Sequence, residues 1–147
     1  MIYLISLIVF LLDFVTKYWA TYSLVPHNPF PIFPHFNLYL TFNRGVSFSM
    51  FYAQSTTGVW GLIGLTGAIS ALIIYFIQKE KEVLTRIGLA LVLGGAIGNL
   101  IDRIRFGSVI DFLDFYWGNY HWPAFNVADS AICIGAALIL FQYIRRK

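Results

Sequence analysis

The sequence predicts an all-α integral membrane protein: four transmembrane helices, a small outside β-hairpin or sheet, and a short interfacial helix. Three observations predict it. The 147 residues are 59% hydrophobic and 12% charged, with mean hydropathy +0.71, against roughly 25% charged in a soluble globular domain. Four apolar stretches reach the length that crosses a bilayer core. The charges outside them are segregated: Lys79, Lys81 and Arg86 mark one short link and Arg145, Arg146 and Lys147 the tail. Lys17, Arg44, Arg103 and Arg105 are counterbalanced by Asp13, Asp102, Asp111, Asp114 and Asp129. Positive-inside logic puts the link and the C-terminus in the cytoplasm. No basic patch is left for nucleic acid.

One membrane domain fills the length. Residues 2–22 are apolar up to Asp13, without a basic start or a small-residue cleavage site, and read as helix 1 entering from the cytoplasm rather than as a cleaved leader. Asp13 and Lys17, four apart with the acid first, share a face and pair. Residues 23–57 form an outside loop: Pro26, Pro29, Pro31 and Pro34 exclude helix. Alternation then sets in at Phe36, Leu38, Leu40 and Phe42 and resumes after Asn43-Arg44-Gly45 at Val46, Phe48 and Met50, a hairpin pattern. Residues 58–78 carry no charge and form helix 2, with small residues at Gly61, Gly64 and Gly67. A solvated link, 79–85, leads to helix 3 at 86–103.

Residues 104–124 make the second outside connection. Its aromatic segment suits the membrane interface as a short helix, placing Asp111 and Asp114 one turn apart. Helix 4 covers 125–144. Asp102 and Asp129 each lie 16 steps from a cytoplasmic arginine, about 24 Å, and Asp13 about 18 Å from the chain start, so three helices bring carboxylates to one layer. Gly94 and Gly98, with Ala131 and Gly135, let helices 3 and 4 approach closely beneath it.

Ionisable residues against membrane-grade sequence point to function. His27, His35 and His121 are scattered and give no zinc pattern. A Ser/Lys hydrolase would draw on Ser47, Ser49 or Ser130 with Lys17, whose better partner is Asp13. Cys133 is the only cysteine, so no intrachain disulfide forms. Paired aspartates remain: two carboxylates a few Å apart share one proton, which serves to activate water and protonate a peptide bond. Asp129 is one member. Its partner is open: Asp102 matches its depth, Asp111 lies in a segment able to fold over the site, and Asp114 follows one turn on. Asn99 and Asn126, each three residues before an Asp, are placed to orient carboxylates. A small proton-coupled transporter is the alternative reading of a buried acid among four helices, and the two aromatic outside connections argue against it.

Asp13-x-x-x-Lys17, Asn43-x-Gly45, Gly94-Gly-Ala-Ile-Gly-Asn-Leu-Ile-Asp-Arg103, Val109-Ile-Asp-Phe112 and Phe125-Asn-Val-Ala-Asp129 together resemble the ordered motifs of the type II, or lipoprotein, signal peptidases. The resemblance spans most of the chain. It implies a cofactor-free aspartic endopeptidase of the bacterial cytoplasmic membrane, with both termini cytoplasmic and the active site near the outer face. Its substrates would be diacylglyceryl-modified prolipoproteins, cut on the N-terminal side of the lipid-modified cysteine, and the cyclic peptide globomycin would inhibit it. It also implies Asp111 and Asp129 as the catalytic dyad, supported by Asp13, Lys17, Asn43, Gly45, Asn99, Asp102, Arg103 and Asn126. The reading is completed by surrounding membrane lipid and a monomeric state.

Overall fold

The computed structural model describes residues 1–45 and 56–146. Four long helices, α1 (Ile2–Ser23), α2 (Thr56–Lys79), α3 (Val83–Phe106) and α4 (Val127–Arg145), are joined at one end by strands β1 (Phe30–Phe33), β2 (Phe36–Asn43), β3 (Val109–Trp117) and β4 (Tyr120–His121). Each helix is long and apolar enough to cross a membrane. Of the apolar span in α3, 44% is buried inside the protein, against 17–22% in the other three. So α3 is the central post, and the others turn large apolar side chains such as Leu12, Leu65, Leu72 and Leu140 outward. A soluble protein would not leave these exposed. The helices match the sequence reading to within three residues at each end.

Glycine faces let α3 serve as that post. A Cβ on Gly95 would collide with the Ala128 carbonyl of α4, and one on Gly98 with the Asp13 carboxylate of α1. The partition differs from the sequence expectation: Gly94 and Gly98 accept α1, whereas Gly88 and Gly95 accept α4, with Gly135 on the facing side. Ser6 Oγ crosses from α1 to donate to the Ala90 carbonyl at 2.8 Å. α3 ends at Gly107, whose φ of 68° allows its N–H to reach back to the Arg103 carbonyl at 3.0 Å. At the far end, Arg146 pairs with Glu82 at 3.0 Å and binds the tail to the α2–α3 link.

The sheet is antiparallel throughout, in the order β1-β2-β3-β4. Three expectations are corrected here. The proline-rich run holds edge strand β1, where Pro31 is tolerated because it lies on the sheet's outer edge. β2 forms where the alternation starts, but its described partners are β1 and β3, and the second arm expected at 46–50 lies outside the described residues. The interfacial helix is absent: residues 109–117 are the nine-residue strand β3. Its Val, Ile, Phe, Tyr and Trp side chains favour a pleated surface, and it is buried on both faces over Val109–Phe112, so it shows no alternation to read.

Candidate active site

The strand assignment decides how the acids are shared out. Along a strand, residues three apart point to opposite faces, so Asp111 and Asp114 part company. Asp114 pairs in register with Asn37 on β2, accepts its Nδ2 at 2.9 Å, and meets His121 Nδ1 at 2.9 Å. Asp111 turns toward the helices. There Asn126 Nδ2 donates to its Oδ1 at 2.7 Å and Asn43 Nδ2 to its Oδ2 at 3.1 Å. Asn43 is opposite Val109, two residues along β3 from Asp111 and so on the same face.

Asn126 is the N-cap of α4 rather than part of its helical face. Its Oδ1 accepts the Asp129 N–H at 2.8 Å, which satisfies one of the orphan donors of the first turn. Asp129 Oδ1 accepts Asn99 Nδ2 at 2.8 Å. Asn126 therefore touches both acids, one through each end of its amide. Asp111 is 1% exposed. Burial and, behind it, the Asp129 charge push its carboxyl up to about 7, against the opposing pull of the Asn43 and Asn126 amides and of Lys17.

The other pair of acids is arranged differently. Lys17 Nζ lies 2.8 Å from Asp13 Oδ2, 2.8 Å from Asp102 Oδ2 and 2.9 Å from Asn99 Oδ1, three acceptors for its three N–H donors. Asp13 Oδ1 also accepts the Ala128 N–H at 2.8 Å, and Asp102 Oδ2 the Ile110 N–H at 3.2 Å. Asp102, an alternative partner for Asp129 on depth alone, is thus already bound to the lysine and to the start of β3. Arg103 Nη2 donates to the Gly45 carbonyl at 3.0 Å and Nη1 to the Asn99 carbonyl at 3.3 Å, while the Gly45 N–H donates to Asn43 Oδ1 at 2.9 Å. These contacts hold the turn after β2 against the site.

All ten candidate residues except Gly45 thus exchange side-chain contacts in one connected cluster, with Gly45 joined through its backbone. Two contacts had no signal in the sequence: the Asp13 cap on α4, and the Asn37–Asp114–His121 group. The second was recoverable only by knowing that β2 and β3 pair. Among the described residues, no group of three or more His, Cys, Asp or Glu is placed to hold a metal ion.

Asp129 opens onto two cavities. One, of about 300 Å³, is headed by Asn43, Asn99, Arg103 and Asp129 and continues between Leu62, Leu65 and Ile69 of α2 and Val92 and Ala96 of α3. The other, of about 250 Å³, runs between Trp122–Phe125 and Ser130 and Cys133 of α4. A half-buried acid coupled to a fully buried one, beside an apolar slot with a polar head, can carry out proton-transfer chemistry on a backbone that enters from the apolar side.

The family model for signal peptidase II matches residues 5–145. The lipoprotein signal peptidase of Polynucleobacter necessarius is 44% identical over 144 residues, 97% of this chain and 88% of that one. That of Teredinibacter turnerae is 46% identical over 142 residues, 95% of this chain and 84% of that one. Two bacterial membrane enzyme structures determined by the in meso method, at 2.3 and 1.9 Å resolution, superpose with a TM-score of 0.87 at 30% identity. They cover 97% and 98% of this chain, and it covers 86% and 92% of theirs.

Proposed function

The chain belongs to the signal peptidase II family, and from that premise we propose that it is an aspartic endopeptidase that removes signal peptides from diacylglyceryl-modified prolipoproteins. The observation that carries the mechanism is Asn126, whose amide spans Asp111 and the Asp129 backbone while Asn99 holds the Asp129 carboxylate. The two acids share one proton. The ionised member takes a proton from water as the oxygen attacks the scissile carbonyl; the protonated member donates to the carbonyl oxygen. The tetrahedral intermediate then collapses as its proton passes to the leaving amine, which frees the new N-terminus at the lipid-modified cysteine. Asn43, Arg103 and the Gly45 turn border the slot and orient the peptide backbone, and Asp13, Lys17 and Asp102 brace the layer.

The slot between α2 and α3 supports entry from within the bilayer, acyl chains remaining in lipid. The charge pattern supports a multi-pass protein of the bacterial cytoplasmic membrane with both termini inside and the sheet end outside. The test uses purified protein in detergent with a diacylglyceryl-modified prolipoprotein and follows release of the signal peptide. Wild type cleaves and globomycin blocks it; folded Asp111→Asn and Asp129→Asn each lose turnover. Cleavage that persists in Asp129→Asn overturns the mechanism.

A further inference from the structure

Among the described residues, Asn99 is the one whose side chain contacts both Lys17 and Asp129, and its amide has two unlike ends. Its Oδ1 faces the Lys17 ammonium at 2.9 Å, and its Nδ2 faces Asp129 Oδ1 at 2.8 Å. Rotated by 180°, the amide would set its NH2 against a cation and its oxygen against a carboxylate. The first contact would then be repulsive in any state, and the second wherever Asp129 is ionised. The second contact on Asn99 Oδ1 is Asn126 Nδ2 at 3.3 Å, long for a neutral N–H donor. The charged donor is therefore the stronger constraint.

Lys17 cannot turn away: its side chain is 3% exposed and its ammonium is also ion-paired with Asp13 and Asp102 at 2.8 Å each. We infer that Lys17 is a positioning residue for Asp129, acting through Asn99 by fixing which end of the amide faces the dyad. This rests on the reading of Asp129 as a catalytic group. Lys17 touches neither dyad carboxylate directly, yet its ammonium sets the donor that keeps Asp129 Oδ1 in place and its charge favours the ionised form of Asp111. The charged groups that act on Asp111 are Asp129 from α4, Lys17 from α1 and Arg103 from α3, the last of which also feels Asp102.

The test is a double-mutant cycle on kcat with Lys17→Met and Asn99→Ala, read with pH profiles. If Lys17 acts through Asn99, each single change lowers kcat roughly 10- to 100-fold, the range known for outer partners of a reacting group, and the double change lowers it little further. The acid limb of the Lys17→Met profile also moves to higher pH, because Asp111 loses a positive neighbour. Lys17→Met leaves two buried acids unpaired. The cycle is therefore repeated on an Asp13→Asn background, in which Lys17→Met leaves the net charge of the group at its native value. Additive effects on kcat, or an unmoved acid limb in a folded Lys17→Met protein, overturn the inference while leaving the dyad intact. Persistent cleavage by Asp129→Asn would instead remove the dyad reading on which the inference rests.

Discussion

Two pairs of aspartates lie in one polar layer, and their surroundings set them apart. Asp13 and Asp102 share Lys17 between them at 2.8 Å each, and their remaining contacts are backbone N–H groups. Among the described residues, the side-chain donors to Asp111 and Asp129 are the neutral amides of Asn43, Asn126 and Asn99. A cation lies within contact distance of both members of the first pair, the arrangement of a structural ion-pair group. The second pair has no such contact among the described residues, and under the proposed mechanism it divides a proton. On the proposed reading, the position of a single ammonium separates the acids that serve architecture from those that serve chemistry.

The largest expected effect tests this division directly. Asp111→Asn lowers kcat by a factor on the order of 10² to 10⁴, the usual range for losing a general acid or base, with the protein still folded. Asp102→Asn does the reverse: turnover stays within about tenfold of wild type, and stability falls by roughly 2 kcal/mol as a charged hydrogen bond is lost. A folded Asp102→Asn protein without turnover would abolish the distinction.

The next effect is on stability against pH. Asp111 holds its proton to about 7 in the folded protein, whereas an unfolded chain releases it near 3.9. The folded state therefore binds more protons across that window, and stability falls as pH rises from about 4 to about 7. Asp111→Asn removes this slope and makes the protein more stable than wild type at pH 8, measured by thermal unfolding in detergent. A smaller loss, about 1–3 kcal/mol, follows from Gly98→Ala, because the new methyl falls on an Asp13 carboxylate that is 1% exposed and held from two sides. Smallest is Asp114→Asn, on the opposite face of β3. It keeps full turnover and costs at most about 1 kcal/mol, since an amide oxygen still accepts from Asn37.

The helices were legible because spanning length and hydropathy are local properties, and the depth of Asp13, Asp102 and Asp129 followed from the rise per residue. What stayed hidden were relations between distant segments. β3 has no alternation because both of its faces are covered, so the spacing of Asp111 and Asp114 pointed equally well to a helix. Asn99 was legible as a residue near Asp102, but its partners, Lys17 and Asp129, come from helices 82 and 30 positions away. The glycine faces of α3 were visible, and their division between α1 and α4 was not. Shape, unlike composition, depends on which neighbour arrives on each side.

The contact from Asp13 to the Ala128 N–H joins residues 115 positions apart. The first helix thus gains one of the hydrogen bonds to its buried acid only from the first turn of the last helix. Both that acid's last partner and one of the two proposed proton-sharing groups arrive in the same segment. The proposed proton-sharing pair is therefore incomplete until α4 is in place.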